Sequence, residues 1–381
     1  SDTKFDTLAS RILGGDPVDM FPYEWDAVPN GVTKEQYQPL DDYLDLGDDI
    51  WSDMSDVIEM FKYKDKHYVV PYCLSDPLLI TYNRSLCEEN GLDDPYELYK
   101  KDKWDWDTFM DMMKTFVSNA KDGETRYGIN GWFGQAMVQS TGETFVKYDG
   151  TKFSNNISSP AIEEAEGVME EIMSLGLYDP TWYGYLPDDG STLFFGMADW
   201  ALGASNVKAD PKPDYEDNGY VEENDLMIVP FPKQPGSDEY YLNCNFGAKM
   251  LVKNSDKGAA VAAYIKCERL ASMIDEYKDA AKEKAIIPEV NAQGKLKSYV
   301  TEEQYDALQD YKDPKNITPV FDFGYGMGSR MYGDGEYTYE TRGVMNNLTS
   351  ALLNGDKDSW AVLRDEWSSV IDEVIDGYNN K

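Results

Sequence analysis

His67 is the only histidine in 381 residues, and the cysteines are Cys73, Cys87, Cys244 and Cys267. One imidazole excludes HExxH zinc sites and every metal centre built from several histidines. It leaves a Ser-His-Asp triad only if His67 is itself the base. His67 lies in the charged stretch Tyr63-Lys64-Asp65-Lys66-His67-Tyr68, which reads as an exposed hairpin. No cysteine belongs to a CxxC pair, so zinc-ribbon and thioredoxin chemistry drop out. There is no P-loop and no GxSxG elbow. Gly324-Tyr325-Gly326-Met327-Gly328 lacks the full dinucleotide spacing and reads as a flexible loop. The acidic clusters at Asp41-Asp42 and Asp48-Asp49 lack the spacing of a calcium loop. Carboxylates are abundant, and nothing singles out the two a glycosidase would need.

What remains is aromatic and acidic chemistry. Aromatics reach 13% and the formal net charge is −36. A phosphate backbone or an anionic lipid surface needs a cationic footprint, so both are excluded as partners. Acidic disordered chains are poor in aromatics, so the acid is read as the solvated surface of a folded protein. Flat aromatic faces together with carboxylates suit a ring-bearing polyhydroxyl ligand; packing alone accounts for the composition equally well. No apolar run approaches the roughly 18–20 residues of a membrane span. No basic-then-apolar leader opens the sequence, so any export signal is expected outside it.

The length predicts two domains, and alternating strand and helix patterns predict an α/β architecture. A helix over 5–13 is stopped by Gly14-Gly15, Asp16-Pro17 turns the chain, and Val18 to Phe21 follows as a strand. The loop Tyr23-Glu24-Trp25-Asp26 comes directly after it. Ligands collect beyond the carboxyl ends of strands in open α/β sheets, so this loop reads as a ligand loop and, with equal weight, as a surface turn. Strands are expected at 68–72, 78–82, 127–130 and 226–230, with Gly131 to Gly134 as a loop. Asp107 is expected to cap a helix bearing Phe109, Met112, Met113 and Phe116. Ser159 with Pro160 opens another helix, and 206–225 reads as a long surface loop. A final helix carries Trp360, Leu363, Trp367 and Ile371.

Several segments in this order resemble the extracellular solute-binding proteins of ABC importers, in the sugar-binding group that includes maltose-binding protein. They are Gly14 to Phe21; Tyr63 to Pro71 with Ile80-Thr81-Tyr82-Asn83-Arg84; Gly91-Leu92-Asp93 with Trp106-Asp107-Thr108-Phe109; Leu193 to Ala198; and Val229-Pro230-Phe231-Pro232 with Lys249 to Val252 and Ala259 to Ile265. No single piece is specific; their order over nearly the whole chain is. The resemblance implies a two-domain periplasmic-binding-protein-like fold of type II, with a hinge and an interdomain cleft. It puts 1–73 with 247–313 in one lobe and 76–243 with 320–381 in the other. The crossings would fall near Cys73 to Asp76, Asn243 to Phe246 and Asp313 to Phe321, which motivates a Cys73–Cys244 bridge. Family members begin with a further strand and helix, so the first lobe is expected to lack a central strand. By correspondence the ligand would meet Tyr23, Glu24, Trp25, Asp26, Asp76, Trp132, Phe133, Ser205, Asn206, Asn243, Asn245, Asp322, Tyr325 and Arg330, with a turn at 203–206 approaching it and Trp200, on the strand before that turn, in the core. The implied function is capture of a mono- or oligosaccharide outside the cell and delivery to a membrane permease. The implied protein is a monomer without cofactor or catalytic residues, either a surface lipoprotein or periplasmic. A receptor for a peptide, polyamine or phosphorylated polyol, and a carboxylate-dependent glycoside hydrolase, stand as alternatives.

Overall fold

The computed structural model describes residues 3–15, 18–216, 219–333 and 338–380. The expected turn at Asp16-Pro17 lies outside them. The fold is α/β and is organised by two sheets. The smaller contains β1 (Met20–Pro22) and β2 (Tyr37–Gln38) on either side of β11 (Lys249–Val252), all antiparallel. The helix Gly258–Met273 packs on it through Val261, Ala262 and Ile265, and its buried Arg269 donates to Ile50 O at 2.7 Å and pairs with Asp53.

The larger sheet has five strands in the order β8 (Leu226–Pro230), β4 (Leu78–Asn83), β7 (Thr192–Ala198), β5 (Tyr127–Gly131), β6 (Tyr178–Asp179). β5 runs parallel to both β7 and β6, while β4 is antiparallel to β7 and to β8. β4 and β7 are buried almost throughout, which is why they read as continuous apolar runs without alternation. The helices Trp106–Ser118 and Pro160–Ser174 cover this sheet and the helix Gly134–Gln139 with their apolar stripes. The cap of the first is Asp105, whose carboxylate accepts from Thr108 N at 2.9 Å; the expected cap, Asp107, sits inside the helix.

Two strand pairs connect the sheets. β3 (Cys73–Ser75) pairs antiparallel with β10 (Asn245–Gly247), and β9 (Tyr241–Asn243) pairs parallel with β12 (Thr318–Val320). These strands fall in or beside the segments that the resemblance names as crossings. The register sets Cys73 opposite Gly247 and Ser75 opposite Asn245, so Cys244 falls beyond that pair; both cysteines are free thiols, and the expected bridge is not formed. A column of rings, Phe61, Phe246, Phe321 and Phe323, carries the apolar core through the crossings, with Phe61 and Phe321 stacked at 4.0 Å.

Other expectations are corrected. Residues 68–72 form no strand: Pro71 lacks a ladder donor, and Tyr72 N–H goes to Gly247 O at 2.9 Å. His67 is buried, not exposed, with Nδ1 2.9 Å and Nε2 3.2 Å from the carboxylates of Asp41 and Glu59. Burial raises the Asp41 carboxyl, but the hydrogen bonds from His67 outweigh it and hold the group below its ordinary value. The helix Glu302–Tyr311, expected in the first lobe, packs on the five-stranded sheet. Tyr311 Oη donates to Ile228 O at 3.0 Å, Gln304 to Leu226 O at 2.7 Å, and Arg84 forks onto Glu303 at 2.7 and 2.8 Å.

Candidate functional site

The parallel strands β7, β5 and β6 all end at one edge of the larger sheet, where β4 begins and β8 ends. Trp132 stands one residue past β5, Trp182 three past β6 and Trp200 two past β7. Their exposures are 41%, 62% and 57%. The other six of the nine tryptophans are buried or half-buried, so every exposed indole of the chain gathers at this edge. Adjacent strands lie about 4.8 Å apart, so the strands that precede the outer two indoles are separated by roughly 10 Å.

Local chemistry fixes each of these. Gly131 has φ +107°, and a Cβ there would meet Gly196 O at 2.2 Å, so β5 and β7 close tightly just before Trp132. Trp132 N–H donates to Gly196 O at 2.9 Å. Asn130 at the end of β5 donates to Asp179 O at 2.8 Å and Thr181 O at 2.7 Å, holding the turn that carries Trp182. Asp199 N–H donates to Pro77 O at 3.0 Å, pinning the 3-10 turn Asp199–Ala201 against the start of β4. Trp200 therefore projects outward and does not fill the core as its sequence context suggested. Tyr183 and Tyr185, with rings 6.3 Å apart, extend the aromatic rim.

Polar groups accompany the indoles. Asp76 is exposed, held at φ +45° just before β4, and accepts from Asn245 Nδ2 at 3.4 Å. A non-glycine residue in that conformation is uncommon, and such positions cluster at functional sites. Asp199 pairs with Lys312 at 3.0 Å. Burial holds the Asp199 carboxyl above the ordinary range, with Lys312 opposing the shift and Asp76 adding to it.

The expected site residues divide. Asp76, Trp132 and Asn245 belong to this edge. Trp25 stands in a second aromatic group, 5.0 Å from Tyr325 and stacked on Tyr332 at 6.2 Å. Tyr23 packs edge-on against Phe61, Glu24 pairs with Lys4 at 2.6 Å, and Asp26 accepts from Asn30 at 2.6 Å. Six others are interior. Phe133 is fully buried, stacked on Phe231 at 6.1 Å. Ser205 and Asn206 lie inside the helix Leu202–Ala209, where the expected turn would be. Ser205 Oγ bonds to Ala201 O and Leu186 N, and Asn206 bonds to Tyr299 O and Gln304. Tyr325 is 1% exposed, and Asn243 is spent on Gln139. Asp322 is also buried. It accepts from Phe145 N at 2.6 Å, Gly324 N at 2.8 Å and Val146 N at 3.3 Å, and burial pushes its carboxyl up to about 7. Arg330 forks onto Glu373 at the surface. Trp182, Trp200, Asp199 and Lys312 are additions to the expected set. Only the dipeptides Asp199-Trp200 and Thr181-Trp182 after apolar segments could have signalled them.

Residues 2–235 match the family model described as bacterial extracellular solute-binding protein. The chain belongs to that family. Solved structures agree with its fold. The sugar-binding protein MalE of Xanthomonas citri superposes with a TM-score of 0.67 at 14% identity, over 98% of this chain and 88% of its own. The cyclic alpha-maltosyl-1,6-maltose binding protein of Arthrobacter globiformis gives 0.65 at 16%, over 97% and 88%. UgpB of Mycobacterium tuberculosis, solved with glycerophosphocholine, gives 0.61 at 13%, over 97% and 87%. No curated protein matches the sequence. The α/β fold of this solute-binding protein is thus the periplasmic-binding-protein type seen in MalE. Among its described residues, no helix is long and apolar enough to cross a membrane.

Proposed function

We propose that this solute-binding protein captures a carbohydrate at the tryptophan-lined edge of its larger sheet and hands it to the membrane permease of an ABC importer. The two sheets with their helices act as two lobes, and the pairs β3–β10 and β9–β12 are the hinge. The boundary drawn from sequence moves: 299–311 goes with the larger lobe, because Tyr299, Gln304 and Tyr311 all bond to its strands or its helix Leu202–Ala209. The observation that carries the reading is the convergence of Trp132, Trp182 and Trp200 beside the exposed carboxylate of Asp76. Sugar rings offer apolar C–H faces to indoles, and hydroxyls that donate to carboxylates in charge-assisted bonds. A spread of about 10 Å between the outer strands suits an oligosaccharide better than one ring. Two structural neighbours, the cyclic alpha-maltosyl-1,6-maltose binding protein and the sugar-binding protein MalE, support the same class. The glycerophosphocholine of a third supports a small phosphodiester as the second reading.

The test is a thermal-shift screen of oligosaccharides, glycerophosphodiesters, peptides and polyamines. A ligand at a hundred times its Kd adds about 2.7 kcal/mol, which moves the melting midpoint by degrees. Stabilisation by a neutral oligosaccharide is the expected outcome. Stabilisation by glycerophosphodiesters alone would select the second reading, and by peptides or polyamines alone would reject both. Incubation with the oligosaccharide should return it uncleaved; release of shorter sugars would make the protein an enzyme.

A further inference from the structure

Lys312 stands where the crossing strands meet the five-stranded sheet. Its Nζ lies 3.0 Å from the carboxylate of Asp199, and the two side chains are only 20% and 12% exposed. It is also the cation whose charge reaches the thiols of both Cys73 and Cys244, on the first and second crossings, opposing the rise that burial imposes on each. Its place is fixed from behind, because the preceding residue, Tyr311, is buried and bonded to Ile228 O at 3.0 Å. In front of it, Asp199 precedes the exposed Trp200, and Asp76 adds its own negative charge to the same spot.

Two carboxylates beside aromatic faces would make a receptor for cations, because an ammonium gains from both the charges and the ring faces. Lys312 changes that sum. It neutralises Asp199 in a partly desolvated pair and leaves Asp76 to accept ligand hydroxyls.

We propose that Lys312 is the specificity-determining residue for ligand charge: by cancelling Asp199 it makes the edge select neutral polyhydroxyl ligands and reject cations such as polyamines. This rests on the site proposed above and deepens it. A ligand ammonium at Trp200 would approach the neighbour of Asp199, the residue to which the fixed ammonium is paired at 3.0 Å. At the intermediate effective dielectric of a protein surface, removing that repulsion is worth about tenfold or more in affinity.

The experiment is calorimetric titration of the full chain with charged probes, so it does not require the natural ligand. Spermidine is titrated into the parent, Lys312→Met, Lys312→Arg and the double variant Lys312→Met with Asp199→Asn. The expected result is at least about tenfold tighter spermidine binding in Lys312→Met than in the parent, no gain in Lys312→Arg, and loss of the gain in the double variant. Asp199→Asn alone, which keeps the lysine and removes its partner, should gain about tenfold for the anionic probe digalacturonate; it serves if Lys312→Met does not fold. Spermidine binding equal in the parent and in folded Lys312→Met, or a gain in Lys312→Arg, would overturn the proposal, as would an unchanged response of Asp199→Asn to digalacturonate. If the charge swaps behave as stated while no neutral oligosaccharide binds the parent, the carbohydrate reading falls and the role of Lys312 stands. If an oligosaccharide binds and the swaps fail, the reverse holds.

Discussion

Replacing Trp200 with alanine should weaken oligosaccharide binding about twentyfold and leave the fold untouched. An indole side chain presents roughly 250 Å², and an exposure of 57% leaves about 140 Å² of it open. A sugar face can cover about half of that. At about 25 cal/mol per Å² this comes to about 1.8 kcal/mol, or about twentyfold in Kd. The neighbouring backbone bond from Asp199 N–H to Pro77 O does not involve the side chain, so the turn should survive. An exposed side chain that makes no buried bond changes stability by no more than about 0.5 kcal/mol. The assay pairs calorimetry with a sugar identified by the thermal screen and a urea melt of each variant. Trp200→Phe should recover most of the affinity, because a flat ring remains. Binding in Trp200→Ala within a factor of two of the parent, with an unchanged melt, would show that no sugar face rests on this indole and that the edge is misassigned.

Three further outcomes follow from the packing of buried side chains. Phe133→Ala should cost about 3–5 kcal/mol of stability, because Phe133 is buried between Phe231 and Tyr178; a melt within 1 kcal/mol of the parent would restore it to the surface. Glu166 is fully buried, and its two carboxyl oxygens have no hydrogen-bond partner among the described residues. Burial first, then Glu170, raise its pKa well above the ordinary value. The folded state therefore keeps a proton that the unfolded state releases, so stability is fully present below the unfolded pKa and declines as pH rises, by about 1.4 kcal/mol per unit while the proton is held. Glu166→Leu should be more stable than the parent at pH 7, with the gap narrowing toward pH 4.5; urea midpoints at the two pH values that show a constant gap would refute this. Asp322, raised to about 7 by burial, should add a second decline of the same sign that ends near pH 7, and Asp322→Asn should lose it in the same melts.

The sequence revealed elements whose pattern is local. The buried strand Leu78–Asn83 and the helices Trp106–Ser118 and Trp360–Asn379 were legible from apolar runs and periodicity, whereas Thr192–Ala198 was marked only by its resemblance to a family segment. The order of motifs gave the fold type. What failed was set by partners distant in sequence. His67 sits in a charged stretch yet is buried, because carboxylates from Asp41 and Glu59 receive it. The helix Glu302–Tyr311 joins the larger sheet because its capping Gln304 and its Tyr311 find carbonyls of Leu226 and Ile228. The site was legible in type but only partly in place. Indoles and carboxylates were anticipated, and Asp76, Trp132 and Asn245 fell at the sheet edge. Trp200 was assigned inward because an apolar strand precedes it, and a turn of two residues reverses that direction without altering the composition. Trp182 follows a strand of only two residues, too short for any alternation to be read.

The most direct test of where the ligand rests is fluorine NMR of the protein labelled with 5-fluorotryptophan. The nine tryptophans give nine resonances, assigned by single replacement to phenylalanine. Saturation with the identified oligosaccharide should shift the signals of Trp132, Trp182 and Trp200 most strongly and leave buried Trp51, Trp104, Trp106 and Trp360 nearly in place. Large shifts confined to Trp25 and Trp367, with the three exposed indoles unmoved, would contradict the account.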